Sequence, residues 1–363
     1  MPRTEALDSM RTNAIVNNKN PRLNGFFWLC ILLALWLAIP LPVLALPAVG
    51  EVLALLGISP KQIAKLERGE IISQPNQESG EKELAMDAVL YLPVPLAKVF
   101  DYLRRAEVEA IDSDMVAHGD ISPDADVSAF RGFAFTENQT DEVEGLLAAE
   151  PGDRFNLSRE EIDSFKSLRK LADADKKNQA EAVSAHYQEI LLHRWQSYRS
   201  RGLAGIAPYA HPEGVPDADP AAELRASAES DKAFARYYPE LKKAWLDYPN
   251  GTPEGIVGQF FWLNRIVEDR PTAILGHRLV EFDSGGAVIA IRHYYVGHSY
   301  NSINLIIGCL PHHDGTIVFY SQRTSTDQVA GMASGLKHSI GRERMKAQMV
   351  GRLENLRKEI ISR

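Results

Sequence analysis

The chain has 363 residues, 45% of them hydrophobic and 24% charged, with a formal net charge of −8. That length suits two domains, or one domain with a large insertion. Arg3, Arg11, Lys19 and Arg22 crowd the first 25 positions beside only Glu5 and Asp8, so the rest is more acidic than the total suggests. An acidic body does not bind a phosphate backbone, which needs clustered Lys and Arg, and nucleic acid is excluded as a partner.

Residues 26–46, FFWLCILLALWLAIPLPVLAL, carry no charge and follow the basic N-region at 1–25. Positive flanks stay on the cytoplasmic side, so the body is expected beyond the inner membrane, in the periplasm or another extracytoplasmic space. The run is long enough to span a bilayer, which takes about 20 residues. Pro40 and Pro42 break its far end, and Val43-Leu44-Ala45 offers a cleavage site. A cleaved signal peptide and a transmembrane anchor both fit. Of the two cysteines, Cys30 lies in this run, which leaves Cys309 without an internal disulfide partner and expected to be a buried small hydrophobe.

Residues 47–82 read as a short helix and a linker. Ser59, Pro60 and Gln62 supply a capping box and a proline at the first helical position. Residues 83–92, ELAMDAVLYL, predict a strand stopped by Pro93 and Pro95. A helix follows over 96–105, with Leu96, Val99, Phe100 and Leu103 on one face. Residues 130–136 alternate and predict an edge strand. Region 156–247 reads as a helical insertion. It opens with a capping box from Ser158 to Glu161, resumes through Val183, Tyr187, Ile190, Leu191 and Trp195, and restarts at Asp219-Pro220 with a break at Pro239.

The remainder predicts strands at 260–267, 272–282, 287–296, 302–310 and 316–322. They are joined by turns at Ser284-Gly285-Gly286 and at His312-His313-Asp314-Gly315. Such short connections force antiparallel neighbours. Residues 333–361 predict one long amphipathic helix with Leu336, Ile340, Ala347, Val350, Leu353, Leu356 and Ile360 in its apolar stripe. The fold class is therefore α+β, a curved antiparallel sheet covered by a long C-terminal helix, with a helical insertion.

The strand at 83–92, the Pro93-Val94-Pro95-Leu96-Ala97-Lys98-Val99-Phe100 entry into a helix, and the strand-rich end closed by 333–361 resemble the START-like superfamily. That superfamily is also known as polyketide cyclase, helix-grip or SRPBCC. The likeness covers 83–105 and 260–361 and not the helical region 156–247. The chain also looks like uncharacterised exported bacterial proteins. The resemblance implies a START-like domain over 83–363 and a pocket for an apolar ligand. The activities it implies run from lipid carriage to cyclase or hydrolase chemistry.

Polar residues of the sheet are the candidate ligand-binding side chains: Arg292, His293, Tyr295, Tyr300, Asn304, Tyr320, Arg323 and Asp327. Strand alternation puts Arg292 and Tyr294 on one face and His293 and Tyr295 on the other. Both faces begin apolar, so alternation alone does not choose the one lining a pocket. Arg323–Asp327 also reads as a structural ion pair. Adjacent His312 and His313 are expected to point apart, and no HExxH or paired CxxC occurs, so neither metal nor cofactor is expected. No GxSxG elbow, Walker loop or GxGxxG fingerprint is present, and no catalytic residue is assigned.

The leading expectation is an exported, membrane-associated module that binds or transports a lipid or other apolar small molecule, with 26–46 as its contact to the membrane. Two alternatives stand beside it. One is a scaffold docking a protein partner through its helical insertion. The other is a cyclase- or hydrolase-type enzyme using an Arg292/Asp327 pair or a tyrosine for acid–base work.

Overall fold

β-Branched and aromatic residues dominate the runs after residue 255, and each run becomes a strand. The computed structural model describes residues 49–104, 112, 114–152, 154–171, 175–283 and 285–362. The strands are β1 (Ile72–Pro75), β2 (Glu83–Leu92), β3 (Met115–Ile121), β4 (Ile256–Val267), β5 (Arg270–Asp283), β6 (Gly286–Val296), β7 (Ser302–His312) and β8 (Gly315–Ser325). They form one eight-stranded sheet in the order β1-β2-β8-β7-β6-β5-β4-β3, every pair antiparallel. β2 pairs with β8 along its whole length, from Glu83 opposite Ser325 to Leu92 opposite Thr316. The early strand thus joins the late meander, while β3 closes the other edge.

The helices in order are α1 (Val49–Leu55), α2 (Pro60–Glu67), α3 (Leu96–Arg104), α4 (Thr140–Leu147), α5 (Arg159–Phe165), α6 (Lys176–Arg201), α7 (Pro220–Ser230), α8 (Lys232–Tyr237), α9 (Pro239–Asp247) and α10 (Ser334–Ser362). The period-2 alternation of the strands divides them between two layers. On one face Leu84, Met86, Ala88, Ile289, Ile307 and Tyr320 pack on α3 and α10. On the other, Val89, Val288, Ala290, Ile306 and Phe319 pack on α1, α8 and α9. α6 extends that second layer, burying Tyr187, Trp195 and Tyr198 against Leu275, Tyr294 and Tyr295. Region 156–247 is therefore a layer of the sheet, and Pro47–Arg363 is one compact unit.

The local signals explain the element starts. Ser59 N–H donates to Gln62 Oε1 (2.9 Å) at the head of α2. Ser158 and Glu161 exchange the two bonds of a capping box at α5. Asp219 accepts from the Ala222 amide at α7.

Three expectations need correction. Residues 130–136 are not a strand: Phe130 ends a 3-10 turn over Val127–Phe130, and Phe130, Phe133 and Phe135 fill the core under α4 and α6. The edge strands are β1 and β3. Residues 72–75, placed outside any strand, pair with β2. In α10 the buried stripe is Met345, Met349, Leu353, Leu356 and Ile360, while Leu336 and Ile340 are exposed. Both methionines lie outside the expected stripe.

The apolar run 26–46 lies outside the described residues. Among those residues no helix is long and apolar enough to cross a membrane.

Candidate functional site: a cavity between the sheet and the last helix

A break in strand register decides which side chains face the last helix. In the β5–β6 pair, Leu275 stands opposite Tyr295 but Gly276 stands opposite His293. Tyr294 is thus the extra residue of a β-bulge. Both Tyr294 and Tyr295 turn to the α6 layer, and Val296 resumes on the other face with Phe261, Leu263, Ile274 and Tyr300. Gly276 is required there, because a Cβ would lie 2.1 Å from the Phe261 ring. The expectation that His293 and Tyr295 share a face therefore fails through one inserted residue.

Between this face and α10 lies a cavity of about 340 Å³. Ile291, Ile303, Leu305 and Ile307 give it an apolar floor, Phe261 and Leu263 one wall, and Met345 a roof. His293, Tyr300, Tyr320, Gln322 and Thr324 bring polar atoms to the lining. Arg265, Arg352, Asp112, Asp114, Glu268 and Arg344 complete it, the last three of the acidic and basic set lying exposed.

The polar groups are held in place. His293 Nδ1 is 3.3 Å from the Tyr300 hydroxyl. Burial, reinforced by the Arg265 and Arg352 charges, pushes the His293 imidazole down to about 3, so the ring is neutral at ordinary pH. Burial likewise pushes Tyr300 up to about 12. Gln322 Nε2 donates to Thr324 Oγ1 (3.1 Å). Asp112 takes both guanidiniums, Arg265 at 2.8 Å and Arg352 at 3.0 Å. Burial opposes ionisation of Asp112, but the Arg352 and Arg265 charges outweigh it and hold the carboxyl below its usual value.

Of the candidate residues, His293, Tyr300 and Tyr320 line this cavity. The others lie elsewhere. Arg292 is fully buried beneath the second layer, donating to the Tyr198 hydroxyl (3.0 Å) and the Trp245 carbonyl (3.2 Å). Tyr295 bonds Tyr187, hydroxyl to hydroxyl at 2.7 Å. Asn304 donates to the Leu224 carbonyl (2.8 Å). Arg323 pairs with Glu83 (2.9 Å), not with Asp327. Asp327 pairs with Lys82 and accepts from Asn301 (2.9 Å). Arg292 and Asp327 thus form no pair. Cys309 is buried as expected, its thiol pushed up to about 12 by burial.

Sequence reasoning missed Gln322, Thr324 and the Asp112–Arg265–Arg352 group. The first two share strand parity with Tyr320, so alternation could have found them. Nothing in the sequence brings Asp112, Arg265 and Arg352 together. His312 and His313 do not point apart either, since both turn to Glu67.

No family model matches the chain, and no curated protein matches it. A solved structure titled "Crystal structure of Ara h 8.0201" is similar at 10% identity over 32% of this chain and 72% of that chain, with a TM-score of 0.21. A likeness of that size carries no argument about function.

Proposed function

We propose that this chain is a START-like, helix-grip binding protein for a small apolar molecule with one polar end, held on the outer side of a membrane by 26–46. The observation that carries this reading is the cavity of about 340 Å³ between the sheet and α10. Apolar walls with a few fixed polar groups are what a small-molecule site needs, and this volume lies near the lower end of the usual range of about 300–1,000 Å³. The ligand is accordingly compact, its polar end meeting the neutral His293 and Tyr300 or the Arg265–Arg352 group.

Binding accounts for the lining better than catalysis does. Asp112 is committed to two guanidiniums, and Asp114 and Glu268 are exposed. A general acid or base needs a group free to move a proton at working pH. The uncharged run after a basic N-region supports the extracytoplasmic address. The scaffold reading has less support, because the large apolar side chains of 156–247 are mostly buried against the sheet and neighbouring helices.

Mass spectrometry of solvent extracts from the purified protein tests the reading. An apolar molecule is expected near one per chain, and absent from a Leu305→Trp variant that fills the cavity. Equal extracts from both proteins would remove it.

A further inference from the structure

At the tip of the β7–β8 hairpin, Glu67, His312 and His313 turn one ligand atom each toward a common point. Glu67 Oε1 stands 3.0 Å from His312 Nε2 and 3.4 Å from His313 Nε2. All three atoms lie within 4.8 Å of one another. Consecutive residues of a strand send their side chains to opposite faces. Here β7 ends at His312, and His313 takes a φ of 50°. The two rings stand beside each other with centroids 4.2 Å apart. A positive φ is uncommon for a residue with a Cβ, and glycine is the usual solution in so short a hairpin turn. The third group comes from a distant part of the chain, the last residue of α2. The Tyr91 and His312 rings stand edge to face, with centroids 6.0 Å apart and an interplanar angle of 85°.

We propose that Glu67, His312 and His313 bind a first-row transition-metal dication of the zinc class. Two imidazole nitrogens and one carboxylate oxygen, with a fourth position left to water, are an established ligand set for zinc. Metal–ligand bonds of about 2.0–2.1 Å set tetrahedral neighbours about 3.3 Å apart, and the two distances here bracket that value. Imidazole with carboxylate favours Zn²⁺, Ni²⁺ or Co²⁺ over Mg²⁺ or Ca²⁺, which take oxygen ligands. His313 and Glu67 are exposed, so an ion enters directly from solvent. Bound there, it clips α2 to the hairpin, away from the cavity.

The test is Zn²⁺ titration of the full-length, untagged protein by calorimetry, with Co²⁺ absorption reporting the ligand field. One Zn²⁺ per chain is expected, with Co²⁺ bands of a tetrahedral nitrogen–oxygen site. Glu67→Gln and His313→Gly each weaken binding at least about tenfold, and glycine keeps the turn because it accepts positive φ. His193→Ala, an exposed histidine on α6, leaves binding unchanged. Absence of stoichiometric binding, or equal binding by both ligand variants, would show that these contacts are ion pairs only.

Discussion

Arg292 and His293 are consecutive, yet they serve opposite faces of the sheet. His293 lines the cavity under α10. Arg292 is sealed under α6 and α9, its guanidinium 4.2 Å from the Trp245 ring centroid and its Nε without a hydrogen-bond partner. Among the described residues it has no carboxylate partner.

A buried cation without a partner charge carries a desolvation cost that an apolar side chain of similar length avoids. Arg292→Met fills the space but leaves the Tyr198 hydroxyl and the Trp245 carbonyl without this donor, and is expected to cost about 1–3 kcal/mol. Arg292→Ala leaves a void and two abandoned acceptors and costs about 3 kcal/mol or more. Urea denaturation reads both. Neither variant is expected to change ligand affinity, since the cavity is on the other side of the sheet.

Asp112 neutralises two guanidiniums at the cavity. Asp112→Asn frees Arg352 and leaves Arg265 with only the exposed Asp114 at 3.3 Å, so an anionic apolar probe such as anilinonaphthalene sulfonate gains affinity several-fold, on the order of 1 kcal/mol. A neutral probe such as N-phenyl-1-naphthylamine does not. Equal gains for both probes would separate the arginines from the ligand.

Glu223 is pushed up to about 7, first by burial and then by the Asp327 charge, against the hydrogen bonds from Asn301 and Ser302. Its folded pKa stands above its ordinary value of 4.5. Its contribution to stability is therefore full below about pH 4.5 and lost as pH rises to about 7. Glu223→Gln removes that loss. The variant gains on wild type by on the order of 1–3 kcal/mol at pH 8 and by little at pH 4.5. The difference between the two melting profiles cancels the buried His277 and His298, whose depressed pKa values act in the opposite direction on acidification. A difference independent of pH would contradict the assignment.

Much of the architecture was legible because the strands alternate cleanly and the helices carry their own caps. The strand at Glu83–Leu92 and the caps at Ser59, Ser158 and Asp219 follow from local chemistry alone. Strand parity, applied strictly, also separates Tyr320, Gln322 and Thr324 from Arg323, and Ile303 and Leu305 from Asn304. What parity could not supply was the bulge at Tyr294, which depends on pairing with Gly276 in another strand. Nor could it supply the second helical layer, which makes Arg292, Asn304 and Arg323 interior residues. The meeting of Glu67 with His312 and His313 is tertiary in the same way, since 245 positions separate Glu67 from His312.

The central claim is that the space beneath α10 holds an apolar ligand. Its most direct measurement is fluorescence titration of the full-length protein with N-phenyl-1-naphthylamine, with partition into free detergent micelles subtracted. Wild type is expected to saturate at one probe per chain, and Leu305→Trp to bind at least about tenfold more weakly at an unchanged melting temperature. No saturable binding, or identical curves for the two proteins, would contradict it.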